Sequence, residues 1–411
     1  MKFPNSTPRI CRSRCFTIIV PSPGMFLALS LLLFVPACVP LRHDPLTAAA
    51  SFYHPVRIAK GVPAGPGALA WSPDSKRLAF ISKTVTIVDT DSLEQKQTDI
   101  PRASSLAWSE NNTLYALSRE ADKTALFAVD PDRLSATRLP LDRQADMLYS
   151  LDADSLILVS ARISATRIGS EISRQISRYA VATGRAKTLS TFSKIYPWKD
   201  PDGELLLAWR HAGVNPLDGS FLVMEHLKPP VVPAYSRVTR IDTLTGTAVD
   251  IPGSGRETLY ASAGWSPDGT RVALADGNGR LELQTLRNDD ATPVAAPAGL
   301  YPSWNPRGSI IYLGGSLVRT DGSGGEPLLS HSPRSIGSWS PDGTRLAVAT
   351  DGRLLLFRNF TPSFSGADRP LDRVLASKLA RLQNLLAEEL ISRQEYDDRR
   401  AGLLRETEEH P

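Results

Sequence analysis

Cysteine is nearly absent from this chain of 411 residues, which holds Cys11, Cys15 and Cys38 and none beyond. A disulfide scaffold is thereby excluded, and so is a cluster of thiolate metal ligands. Long hydrophobic runs are missing too: the most apolar stretch, Met25–Ala37, falls short of the about 20 residues that a bilayer core requires. Catalytic signatures are missing as well. There is no GxSxG nucleophile elbow, no Walker A loop, no HExxH and no CxxC pair. Net charge is scarce once the first residues are set aside. Lys2, Arg9, Arg12 and Arg14 account for the whole +4, and the basic residues that remain, 47 less those four, equal the 43 acidic ones. The charge balance therefore gives no argument for a nucleic-acid partner. What is present is ordinary for a globular chain, with 42% hydrophobic residues and with 28 Gly and 32 Pro to supply turns.

The first 37 residues combine a basic start, a short apolar run and the break Val35-Pro36-Ala37-Cys38. That order is a secretory signal. The break resembles the lipobox of bacterial lipoproteins, which implies cleavage after Ala37 and a lipid on Cys38. A plain signal peptide cleaved near Ala37, or an uncleaved anchor, is the alternative. Cys38 has no disulfide partner after the leader, and two or three acyl chains anchor stably where one does not. Residues 38–51 then read as a tether, and the expected location is the bacterial cell envelope.

A repeat of about 40 residues fills the middle of the chain. Its first half is an apolar run, Trp-Ser-Pro-Asp-Gly and a second apolar run, as in ALAWSPDSKRLAFIS at 68–82, AGWSPDGTRVALAD at 263–276 and GSWSPDGTRLAVAT at 337–350. Weaker copies lie at 105–118, 147–160, 196–209 and 301–314, and each is followed by a second pair of strands. Anchors at Trp71, Trp108, Tyr149, Trp198, Trp265, Trp304 and Trp339 count seven units of four strands. Such units stack radially because one alone cannot bury both faces. The fold class expected over 52–360 is therefore an all-β, seven-bladed β-propeller, with six or eight blades as alternatives. HPVRIAK at 54–60 has no blade of its own, and pairing it with the three-stranded last unit closes the ring and removes an open edge. In the turn, Pro sets φ, Asp bonds its own backbone and Gly takes positive φ, so Asp268 and Asp342 read as structural.

The repeat resembles the WD40-like propeller repeats of TolB and of prolyl-oligopeptidase-type propellers, which implies the fold and little about function. From 367 to 411 the period changes to 3.6, with Leu371, Leu375, Leu379, Leu382, Leu386 and Leu390 in one stripe. Ser392 and Glu395 then make a capping box flanked by Ile391 and Tyr396. The pattern Leu390, Ile391, Ser392, Glu395, Tyr396, Leu403, Leu404 resembles the SHOCT motif, a short helical module. It implies oligomerisation or partner docking; packing on its own propeller is the alternative.

Binding residues are expected where the repeat carries long connections. Two stand out, 161–173 in blade 3 and 210–236 in blade 4, the latter holding His211, Met224, His226 and Tyr235 as candidate partner-binding residues. The sequence indicates no metal and no cofactor. The expectation is a lipid-anchored, non-enzymatic interaction platform with an envelope protein as partner and self-association possible through the tail. The rival is a ligand sensor or enzyme with its site at the central channel.

Overall fold

The computed structural model describes residues 46–47, 49–120, 123–165, 169–197, 209–227, 235–251, 260–276, 278–286, 291–330, 332–358 and 360, together with 382, 394–395 and 398–399. These residues form seven four-stranded antiparallel sheets. Each first strand touches the first strands of both neighbouring sheets, and that of blade 7 touches that of blade 1. The first strands are thus the inner ring of a seven-bladed β-propeller. Val56–Lys60 pairs with Arg353–Phe357 to complete blade 7, so the strand closure expected from the orphan segment is present.

Apolar burial follows the blades. The buried apolar side chains fall into seven clusters, one at each seam: Leu106 and Trp108 meet Ile81 and Ile87 between blades 1 and 2, and Leu354 and Leu356 meet Phe80 and Val88 between blades 7 and 1. Fully burying a side chain of this size contributes roughly 1.5–3 kcal/mol, so no single seam holds the ring.

The tryptophan motif is a seam device. The indole N–H of Trp108 donates to the Ala70 carbonyl of the preceding blade at 3.1 Å; Trp265, Trp304, Trp339 and Trp71 donate likewise to Gly213, Gly264, Ser303 and Ser338 at 2.9–3.1 Å. Each bond satisfies a buried indole N–H that would otherwise lose its hydration. The Asp of the turn behaves as the sequence implies: Asp268 Oδ1 accepts from Ser266 Oγ at 2.6 Å and from the Thr270 N–H at 3.1 Å, and Asp342 repeats the pattern with Ser340 and Thr344.

Three expectations change. The inner strand of blade 4 is Trp209–Val214 and not the segment around Trp198, because Tyr196 and Pro197 end the outermost strand of blade 3, Arg185–Pro197. The stretch 210–236 is therefore not a loop. It comprises the inner strand, the turn Asn215–Gly219, the second strand Phe221–Leu227 and the start of the third, Tyr235–Ile241. Thirdly, residues from Leu46 onward are not a free tether: Leu46 bridges to Leu329, the Thr47 N–H donates to the Leu328 carbonyl, and Ala50 is fully buried. Tyr53 stacks on Phe360 at 4.5 Å and donates to Glu326 at 2.7 Å; burial and that carboxylate push its phenol up to about 12.

Ala37 and Cys38 lie outside the described residues, as do Leu390, Ile391, Ser392, Tyr396, Leu403 and Leu404 of the tail. Leu382, Gln394, Glu395, Asp398 and Arg399 are helical, with Arg399 Nη2 donating to Glu395 at 2.7 Å. Among the described residues no helix is long and apolar enough to cross a membrane.

Candidate functional site

The position just before each inner hairpin is Trp in five blades, Ser150 in blade 3 and Val214 in blade 4, by register with the second strand. The position before it is small nearly everywhere: Ala70, Ala107, Gly213, Gly264, Ser303 and Ser338. Blade 3 alone is large there, with Tyr149. Tyr149 is thus one residue off the Trp position expected for it, and it faces blade 4. A Cβ on Gly213 would stand 3.3 Å from its ring, and Phe221 meets it edge-on at 5.3 Å. Val214 leaves a seam underfilled and Tyr149 fills it from the other side, which keeps the interior at close-packed density.

Blade 3 also overhangs its own inner strand. Met147–Ser150 has 4 residues, whereas the three strands outside it, Ser155–Ala165, Gly169–Ala180 and Arg185–Pro197, have 11, 12 and 13. The long connection expected at 161–173 is in fact a continuation of strands. Asp146 caps the uncovered edge: its Oδ2 accepts from the Ala161 N–H at 2.6 Å and its Oδ1 from Arg119 at 3.0 Å.

Strand alternation places Arg174 on the same face as Ile176, which packs into the seam with blade 4. Its guanidinium acts on the Tyr149 phenol. Burial pushes that phenol well above its ordinary value, the Arg174 charge opposes the rise, and the Tyr301 hydroxyl adds to it. Tyr301 precedes the inner strand of blade 6, three blades further round the ring. Tyr301 sits at φ 62°, a backbone region costly for a bulky side chain, and its N–H is held by the buried Ser262 hydroxyl at 2.8 Å. A phenol with a raised pKa stays protonated, so Tyr149 can donate a hydrogen bond to a ligand and is no base at neutral pH.

Of the residues singled out in blade 4, His211 lies on the inner strand opposite Val223, and His226 on the second strand opposite Ser236. Tyr235 begins the third strand. Met224 is 1% exposed in the seam with blade 5 and cannot contact a partner. Strand pairing and not a loop sets the positions of these four residues. Arg174 and Tyr301 were missed by sequence reasoning. The available signals were the overlong blade 3 and the lone large residue at 149. Among the described residues no group of three or more His, Cys, Asp or Glu could hold a metal ion.

No protein-family model matches the sequence, and no curated protein matches it. Solved structures do. An oligogalacturonate lyase from Vibrio parahaemolyticus aligns with TM-score 0.55 at 10% identity, covering 74% of this chain and 93% of that one. An oligogalacturonate lyase in complex with manganese aligns with TM-score 0.54 at 12% identity and the same coverage. TolB from Acinetobacter baumannii gives 0.38 at 16% identity, covering 74% of this chain and 66% of that one. The likeness to the lyases establishes the seven-bladed fold. It also corrects the expectation of a non-enzymatic platform: the two lyases that share the fold across nearly their whole length are enzymes, so this fold gives no ground for setting catalysis aside. At this identity the chain's own residues must carry any statement about reaction.

Proposed function

We propose that the protein is an enzyme acting on a carboxylate-bearing oligosaccharide bound at the mouth of its central channel. What supports this reading is the fold shared with two lyases across nearly their whole length, together with Arg174 and Tyr149 on the blade 3 face that meets blade 4. A uronate offers a planar carboxylate to a guanidinium, and the bidentate pairing is both strong and directional. Its hydroxyls suit the protonated phenol of Tyr149 as a hydrogen-bond donor. For an elimination of the kind that gives a lyase its name, neutralising the carboxylate makes the adjacent C–H more acidic, so that hydroxide from solvent takes its proton as the C–O bond to the leaving sugar breaks and the new double bond forms. Arg174 would neutralise the carboxylate, and Tyr149 would donate a hydrogen bond. The lyases with this fold make oligogalacturonate the first substrate to try.

The test is direct. The purified full chain is titrated with oligogalacturonate and with a neutral oligosaccharide of equal length, and new double bonds are followed by ultraviolet absorbance. Binding and turnover of the acidic ligand alone are expected. Arg174→Gln should weaken binding roughly 10- to 100-fold, the scale of a lost charged hydrogen bond. Equal binding of both sugars, or an unaffected Arg174→Gln, sinks the reading.

The same proposal places the enzyme at the bacterial envelope, exported and lipid-anchored through Cys38, with the tail at Ser392, Glu395 and Leu403 docking an envelope partner or a second copy. Support comes from the lipobox-like break and from the absence of later cysteines. Cys38→Ala should release the protein from membranes.

A further inference from the structure

A second site lies further out on blade 3, beside its hairpin turns. A pocket of approximately 490 Å³ is lined by Ser155, Arg178, Ala180, Arg185, Ala186 and Lys187. The register makes its charge unusual. Arg178 stands directly across from Lys187, and Arg185, across from Ala180, is its diagonal neighbour. Like charges directly opposite in a sheet repel. One carboxylate offsets them: Asp152 lies 3.6 Å from Arg178, whose guanidinium also donates to Ser155 Oγ at 3.1 and 3.3 Å. Arg185 and Lys187 make no hydrogen bond or ion pair among the described residues.

The strands that carry these cations are fixed from behind. Arg143 reaches across their far face, donating to the Ala186 carbonyl at 2.8 Å, to Ser177 Oγ at 3.0 Å and to Thr188 Oγ1 at 3.1 Å. Tyr179 donates to the Pro140 carbonyl at 2.8 Å. Side chains held apart on a rigid sheet cannot relieve the repulsion by moving their backbone. An anion relieves it.

We propose that this pocket binds a dianionic oxyanion, the phosphate or sulfate group of a small ligand, between Arg178, Arg185 and Lys187 with the Ser155 hydroxyl as a further contact. Forked guanidinium donors match tetrahedral oxyanions, and the ammonium adds a point charge. The volume falls in the range of small-molecule sites. Three residues lie between Arg174 and Arg178 on the strand, among them the buried Ile176, and the buried Ile157 stands between Tyr149 and Arg178 across the sheet, so this site is separate from the proposed channel site.

Calorimetric titration of the full chain with inorganic phosphate and, separately, with sulfate tests the proposal, at ionic strength held constant with sodium chloride. Saturable binding of one or both is expected, and which one binds identifies the ligand's anionic group. Arg185→Gln/Lys187→Gln should weaken it at least 10-fold while leaving the unfolding midpoint in anion-free buffer equal or higher, because repulsion is removed. Arg174→Gln should leave it unchanged. Unaltered affinity in the double variant, or no saturable binding of either anion, overturns the proposal.

Discussion

The seam between blades 7 and 1 and the seam between blades 3 and 4 solve one packing problem in two ways. At the first, Trp71 covers the small Ser338 and donates to its carbonyl, while Arg345 reaches Asp91 at 2.5 Å and the Ser75 carbonyl at 3.1 Å. At the second, Val214 replaces the indole and Tyr149 supplies the missing bulk from the preceding blade. Blade 2 compensates Ser150 in the same manner, with Tyr115 buried in the seam it shares with blade 3. A seam therefore needs a conserved volume and not a particular residue. The regular seam spends its indole N–H on a neighbouring carbonyl, and the irregular one is filled by a ring from the preceding blade.

Breaking the irregular seam should have the largest effect. Tyr149→Ala removes a half-buried ring from the seam and should destabilise by about 3 kcal/mol, the lower end of the range for aromatic truncation. Tyr149→Phe keeps the volume, so denaturant unfolding should change little while uronate binding weakens. Equal losses for both variants would mean that the hydroxyl and not the volume holds the seam.

Next is a regular seam, overfilled. A Cβ on Gly337 would fall 2.3 Å from the Tyr312 ring, so Gly337→Ala should cost about 1–3 kcal/mol through overpacking. Adding Tyr312→Leu should recover part of that loss, and a double-mutant cycle measures how much. A smaller effect is expected for Trp71→Phe, about 1 kcal/mol, because one hydrogen bond to Ser338 is lost and most of the apolar area is kept.

The smallest separates turns from seams. Burial raises the Asp268 carboxyl, but hydrogen bonds from Ser266 and Thr270 and the Arg271 charge outweigh it and leave the pKa lowered. Asp74 is lowered likewise by Ser72 and Lys76 against burial. A carboxylate lowered in the folded state contributes stability that is fully present above its unfolded value, near about 4, and is lost as pH falls through the folded one. The wild-type unfolding midpoint should fall below that pH, and Asp268→Asn should flatten the fall without altering stability near neutrality by more than about 1 kcal/mol.

Much of the ring was legible because repetition repeats its physics. Trp265, Trp304 and Trp339 sit in identical registers, and Asp268 and Asp342 close identical turns. Blade 4 was misplaced because YPWKDPDGELLLAW at 196–209 matches the motif better than AGVNPLDGSFLVM at 212–224 does. Asn215 there replaces Ser, accepting from the Leu217 N–H at 2.8 Å, and Asp218 accepts from the Ser220 N–H at 2.8 Å, so a different residue set builds an equivalent turn. The residues of the proposed site were legible only in part: the overlong strands of blade 3 and the large Tyr149 mark that blade, whereas Arg174 and Tyr301 lie in different blades and nothing local marks either.

The sequence by itself determined the number of blades, the turns between their strands and the strand that closes the ring, since each depends on residues within one unit or on a simple count of strands. Which blade fills which seam, as where Tyr149 of blade 3 meets Phe221 of blade 4, was decided only in the tertiary structure. Side-chain volume is balanced across blades, and the contacts between them depend on distances around a closed ring that no local pattern records.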